Sequence, residues 1–145
     1  MDIVFICTGN TCRSPMMEGM FRVLGGEETL GLKASSAGLF VHEGMGASAY
    51  AIEAMKEYGA DISAHSARLL TEEIAERAKY LFCATAAHYD HLIAMFPQAE
   101  SKTYLLMDRD VADPFGGNLQ TYRRSAEQIN EGVKRIIEQL KEKNV

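Results

Sequence analysis

A chain of 145 residues, 47% hydrophobic and 24% charged, carries enough apolar material for one core and has the size of one ordinary domain, 1–145. Its formal net charge of −5 disfavours a nucleic-acid surface, and no stretch approaches the length of a membrane span. Three cysteines, an odd number, behind an N-terminus with no basic region followed by a long apolar run, point to reduced thiols in a cytoplasmic protein rather than a disulfide scaffold.

In chain order, the apolar run Ile3-Val4-Phe5-Ile6 reads as a first strand, and Ser14-Pro15 opens a helix that runs to about Leu24 and stops at Gly25-Gly26. Ser14 is expected as the N-cap, with Pro15 at the first helical position, where its missing N–H matters least. Leu32 to Ala37 predicts a short second strand ending at Gly38. Apolar residues at helical spacing predict an amphipathic helix over Gly46 to Tyr58, stopped by Gly59. Thr71-Glu72-Glu73 opens a short helix with acidic residues in its first turn.

The continuous apolar run Tyr80 to Ala84 is typical of a buried parallel strand, and a helix from about Ala86 to Phe96 should end at Pro97. Thr103 to Leu106 is the fourth strand, and the polar, turn-rich segment Met107 to Gly117 belongs at the surface. The longest helix spans Leu119 to about Lys143, with apolar residues at Ile129, Val133, Ile136, Ile137 and Leu140. Strands alternating with helices predict an α/β domain whose parallel sheet is covered on both faces. Ligands in such sheets sit beyond the carboxyl ends of the strands, where the loops after strands one and four emerge.

The first of those loops reads Cys7-Thr8-Gly9-Asn10-Thr11-Cys12-Arg13. A loop feeding a helix N-terminus presents unpaired N–H groups in a positive field, which suits a phosphate. Gly9 and Asn10 are residue types that tolerate positive φ, so successive N–H groups can turn inward as a nest. Arg13 can grip two oxyanion oxygens with its planar guanidinium. Cys7, at the strand end, is placed to act as a thiolate nucleophile on phosphorus. The Cys-x5-Arg spacing is weak by itself; the strand before it, Gly-Asn inside it and Ser-Pro after it strengthen the assignment.

Attack by a thiolate also needs a proton donor for the leaving atom, and the same group can later take a proton from water. Asp113, stiffened by Pro114 and Phe115 in the loop after strand four, is the candidate, with Asp108 and Asp110 as competing carboxylates. Asp before Pro is equally at home as a simple turn cap.

Val4 to Pro15, the Ser36-Ala37-Gly38 turn, Asp61-Ile62-Ser63-Ala64-His65 and Asp113-Pro114-Phe115 together resemble the low-molecular-weight protein tyrosine phosphatase family, over nearly the whole chain. The resemblance implies a flavodoxin-like topology with strand order 2-1-3-4, Cys7 as nucleophile, Arg13 as phosphate clamp and Asp113 as general acid and base. It implies that Thr8, Gly9, Asn10, Thr11, Cys12, Arg13 and Ser14 form the phosphate-binding loop. It further implies that Asn10, Ser14, Ser36 and His65 hold that loop open, with Ser14 donating toward the thiolate; Ser36 and His65 also read as ordinary turn and cap residues.

Two departures bear on substrate. Thr11 stands where tyrosine phosphatases of the family carry a bulky aliphatic residue, and only Phe115 follows Asp-Pro where they carry one or two aromatics. Both are similar to the bacterial protein-arginine-phosphatase branch, which implies phosphoarginine as the substrate group. A threonine hydroxyl can orient a water or a guanidinium, and Asp113 can pair with a cationic guanidinium as it cannot with a phenol.

Tyrosine phosphatase activity is the alternative on the same scaffold. Arsenate reduction is a more distant one, because reductases of this fold share the loop but need a relay cysteine beyond Cys83, where this chain has His88, Tyr89 and Asp90. A non-catalytic phosphate-binding module would be expected to lack Cys7 or Arg13. Cys12 suggests a reversible disulfide with Cys7, or a small residue packing the loop. Cys83 reads as a core thiol, and His88 and His91 as solvated helix residues without a third metal ligand. No metal or organic cofactor is expected, the partners implied are phosphorylated proteins, with inorganic phosphate as product, and the protein is expected to be a monomer.

Overall fold

Alternation along Ile3–Cys7 decides the architecture. In the computed structural model, which describes residues 2–143, all five residues of this strand, β1, are buried. Ile3, Phe5 and Cys7 enter one hydrophobic cluster while Val4 and Ile6 enter another on the opposite face, as the two-residue period of a strand requires. The other strands are β2 (Ala34–Gly38), β3 (Tyr80–Cys83) and β4 (Thr103–Leu105), all parallel, in the order β2-β1-β3-β4. Cys7 pairs with Gly38 at the carboxyl edge of the sheet.

Six α-helices follow in chain order among the described residues: α1 (Arg13–Val23), α2 (Gly26–Leu30), α3 (Ala49–Lys56), α4 (Glu72–Arg77), α5 (Ala86–Met95) and α6 (Leu119–Lys143). The α1, α3 and α6 helices bury Met16, Met17, Met20, Met55, Ile129, Val133 and Ile136 against the Phe5 face. Helices α4 and α5 bury Ala75 and Leu92 against the Val4 face. Phe5 lies 5.7 Å from Phe21 and 6.1 Å from Phe82 between ring centres, within the range at which aromatic pairs attract. No helix among the described residues is long and apolar enough to cross a membrane.

The strand order, the parallel sheet and the span of α6 agree with expectation; several local details do not. Helix α1 starts at Arg13 with Cys12 as its N-cap, so Ser14 is not the cap and Pro15 sits in the third position. The Ser14 hydroxyl is committed to Cys7 instead. Helix α1 does stop before Gly25-Gly26, but an extra short helix, α2, follows at once, bracketed by Gly25 and Gly31 at φ +80° and +66°. Helix α3 begins at Ala49, not Gly46, because Ser48 N–H is bonded to the Thr11 carbonyl at 2.9 Å and Ala67 N–H to the Met45 carbonyl at 2.7 Å. The segment after β4 is not wholly superficial: Met107 and Val111 are buried, and Val111 N–H bonds the Ala84 carbonyl.

Candidate active site

A cleft of about 390 Å³ opens at the carboxyl edge of the sheet, floored by the Cys7–Arg13 loop. The loop holds its shape through one left-handed residue, Asn10 at φ 57°. Gly9 is not in that region, contrary to expectation, and a side chain there would meet only ordinary contacts. The glycine that the loop requires is Gly38 on the neighbouring strand. A Cβ there would lie 2.6 Å from the Thr8 carbonyl oxygen and 3.0 Å from the Asn10 nitrogen, closer than packed atoms allow.

Asn10 is fully buried and spends its whole side chain on the loop. Its amide group donates to Ser14 Oγ at 2.7 Å and Ser36 Oγ at 3.0 Å, while its Oδ1 accepts from Arg68 N–H at 3.0 Å. The Asn10 carbonyl lies 2.6 Å from His65 Nε2. Glu18 fixes the sense of this network. Its carboxylate can only accept, so the Ser36 hydroxyl donates to Glu18 Oε1 at 2.7 Å and its oxygen is left to receive from Asn10. Ser14 likewise receives from Asn10, which turns its own proton to Cys7 Sγ at 2.9 Å. Asn10, Ser14, Ser36 and His65 thus come together as expected; Glu18 and Arg68 were not anticipated.

Cys7 is only 3% exposed, at the floor. The Arg13 guanidinium is also buried: Nη1 donates to the Val111 carbonyl at 3.2 Å, and Nη2 stands 3.6 Å from Asp113 Oδ2. Asp113 divides its two oxygens between the turn and the cleft. Oδ1 accepts from Phe115 N–H at 3.1 Å and shapes the turn, while Oδ2 faces the guanidinium across the cleft. The competing carboxylates are engaged elsewhere: Asp110 accepts from Ala86 N–H at the start of α5, and Asp108 pairs with Arg109. Helix α6 holds the acid loop from behind, with Gln128 Oε1 accepting from Ala112 N–H at 2.9 Å and Ser125 Oγ donating to the Ala112 carbonyl at 2.9 Å.

The walls are more apolar than the sequence suggested. Phe115 is 79% exposed on one side, and Phe40, 65% exposed, stands with His42 and Met45 on the loop after β2. Thr11 lines the cleft; Cys12 Sγ lies 3.4 Å from both Tyr122 Oη and Ser48 Oγ. The three cysteines are free, and burial pushes the Cys83 thiol up to about 12. His88 corrects the expectation of a solvated residue: it is 6% exposed, and its Nε2 lies 2.8 Å from Thr8 Oγ1. His91 packs beside Phe40 with the ring centres 5.0 Å apart and the planes tilted by 51°.

A buried thiol at the mouth of a helix, an arginine beside it and a carboxylate opposite are the parts of a cysteine-dependent phosphatase. The model of the low molecular weight phosphotyrosine protein phosphatase family matches residues 2–145. The chain belongs to that family.

Among its relatives, a protein-arginine-phosphatase of Geobacillus stearothermophilus is 37% identical, with 95% of each chain covered. The solved structure of the YwlE arginine phosphatase from the same organism superposes with a TM-score of 0.90 at 34% identity, over 98% of this chain and 94% of that one. A structure of a YwlE arginine phosphatase C7S mutant with a phosphorylated active site serine superposes with a TM-score of 0.91, also at 34% identity, over 97% and 96% of the two chains. As a member of the low molecular weight phosphatases, the chain is a cysteine-dependent protein phosphatase.

Proposed function

We propose that this phosphatase hydrolyses phosphoarginine in proteins through a cysteinyl-phosphate. The observation that carries the chemistry is Cys7 Sγ, 2.9 Å from the Ser14 hydroxyl, at the floor of a cleft that also holds Arg13 and Asp113. Bound phosphate is cradled by the backbone N–H groups from Thr8 to Ser14, with the Arg13 guanidinium across two oxygens. The Cys7 thiolate attacks phosphorus, an S–P bond forms and the P–N bond breaks. Protonated Asp113 gives its proton to the departing guanidine nitrogen. Water then attacks the cysteinyl-phosphate and surrenders a proton to Asp113, and the S–P bond breaks to release phosphate and the thiolate.

Two features support arginine over tyrosine. Thr11 brings a hydroxyl and a small methyl to the cleft where a bulky aliphatic group would narrow it. Asp113, at the rim, presents one carboxylate oxygen to pair with a guanidinium. Two curated relatives, 37% and 35% identical over 95% and 97% of this chain, are named protein-arginine-phosphatases. Phe40 and Phe115 favour a second, weaker activity on aryl phosphates, because both offer ring faces at the mouth. A three-cysteine arsenate relay finds no support in Cys83, which is fully buried in β3 and hard to ionise.

The test is kcat/KM on phosphoarginine and phosphotyrosine peptides for the native protein and Thr11→Ile. The native protein should prefer phosphoarginine, and the substitution should move the preference toward phosphotyrosine; equal preference before and after would remove the arginine assignment and leave the phosphatase intact. Cys7→Ser should abolish turnover while phosphate still binds.

The free thiols of Cys7 and Cys12 extend the proposal to redox control in a reducing cytoplasm. Peroxide oxidises Cys7 to a sulfenic acid, and attack by Cys12 expels water to give a disulfide, which protects Cys7 from further oxidation. Peptide mapping after mild peroxide should find that disulfide; sulfinate at Cys7 in its place would count against it.

A further inference from the structure

The two halves of the phosphate loop are held by different means. The Asn10–Ser14 half is tied by side chains from β2, α1 and the segment after α3, through Ser36, Glu18, His65 and Arg68. The Thr8–Gly9 half has backbone ties, with the Thr8 carbonyl accepting from Leu39 and Phe40 N–H, and one side-chain tie, from Thr8 Oγ1 to His88 Nε2. That tie crosses 80 positions of sequence and comes from α5, on the opposite side of the cleft floor.

The imidazole is built in. Thr85 caps α5 and accepts from His88 N–H at 3.1 Å, which fixes the residue in the first helical turn. The ring is buried, and its Nδ1 has no hydrogen-bond partner among the described residues. A buried N–H without a partner is rarer in proteins than a buried acceptor without one. The tautomer that avoids it carries its proton on Nε2, which then donates to Thr8 Oγ1. A cationic ring would bury the unpaired Nδ1–H and add a charge beside Arg13. Burial and Arg13 together lower the His88 pKa to about 4, against the opposing pull of Asp110 and Asp113; His91 on the same helix adds to the lowering.

We propose that His88 is a positioning residue for the phosphate loop: as a neutral Nε2–H donor it fixes the Thr8 side chain and turns the Thr8 hydroxyl proton into the cleft, toward the phosphoryl group. Thr8 is exposed and lines the cleft, so the hydroxyl has a free donor once its oxygen is occupied by the imidazole. The inference rests on the phosphatase reading of this loop. It adds a donor that acts on bound phosphoryl in ground and transition states alike, so it affects KM more than kcat.

The experiment compares the native protein with His88→Leu, His88→Gln, Thr8→Val and the Leu/Val double variant. Readouts are KM and kcat on an aryl phosphate, the inhibition constant of inorganic phosphate, and nitrogen chemical shifts of the His88 ring. Loss of one neutral hydrogen bond should raise KM and the phosphate inhibition constant about 5- to 10-fold in His88→Leu and Thr8→Val, with kcat within about 2-fold. The double variant should be no worse than either alone. His88→Gln places an amide N–H near the position of Nε2 and should return both constants to within about 3-fold of native. The ring should report protonation on Nε2 from pH 5 to 8, with no KM inflection near pH 6.5.

A proton on Nδ1, an unchanged phosphate constant in His88→Leu, or multiplied effects in the double variant would overturn the proposal. Should His88→Leu fail to fold, Thr8→Val and the ring tautomer decide alone. Failure of the underlying reading looks different: the native protein would not turn over phosphate esters, or Cys7→Ser would.

Discussion

At the scale of single residues, the Asn10 network has a fixed sense, because the Glu18 carboxylate can only accept. Asp113 should act in proton transfer as well as in the turn, since the turn uses only Oδ1. Asp113→Asn keeps the turn acceptor and should lower kcat about 10²- to 10⁴-fold while leaving phosphate inhibition within about 3-fold; equal loss in both would make its role positional.

His88 also links the site to stability. It takes up a proton near pH 6.5 in the unfolded chain and near 4 in the folded one, so between those values acid favours the unfolded state. Stability should fall as pH drops from about 6.5 to 4, by at most about 1.4 kcal/mol per pH unit from this group. Urea titrations of the native protein and His88→Gln across that window should differ in slope, and parallel curves would refute the assignment. Cys7, Asn10 and Arg13 stood out in the sequence as one local pattern, whereas Asp113 was singled out by its place on the rim and by the family resemblance. His88, Glu18, Arg68 and Phe40 were not, since each acts on the loop from a distant element and looks locally like a helix or loop residue.

At the scale of elements, the loop is shaped as much by β2 as by its own sequence. Gly38→Ala drives a methyl against the Thr8 carbonyl and Val41 Cγ2, and the strand pairing of Cys7 with Gly38 leaves little room to yield. The variant should lose about 1–3 kcal/mol of stability and at least about 10-fold in kcat/KM; native values for both would mean that the loop tolerates displacement. The late start of α3 and the burial of the segment after β4 share one cause. Ser48, Ala67 and Val111 place backbone N–H groups on partners from other segments, so residues with helical or loop-like composition are held extended beside the site. Propensity and periodicity report on a segment alone, and these pairings are tertiary.

At the scale of the whole molecule, β1 divides two apolar clusters, and α6 seals the larger one. Ile129 is fully buried there, so Ile129→Ala should cost about 2–5 kcal/mol in denaturant unfolding, with kcat per folded molecule unchanged. A loss below about 1 kcal/mol would show that the cluster closes over the gap. The α/β architecture was legible because it needs only the order and period of apolar runs; the topology was carried by the family resemblance. What neither conveyed was that α6 reaches past the core to grip the acid loop. Ala112 is exposed, yet its amide is bonded to Gln128 and its carbonyl to Ser125. One turn of chain therefore contains a spectroscopic reporter beside the acid: the Ala112 amide should exchange with solvent more slowly than those of its exposed neighbours, and any ligand that lifts the loop from α6 should speed it.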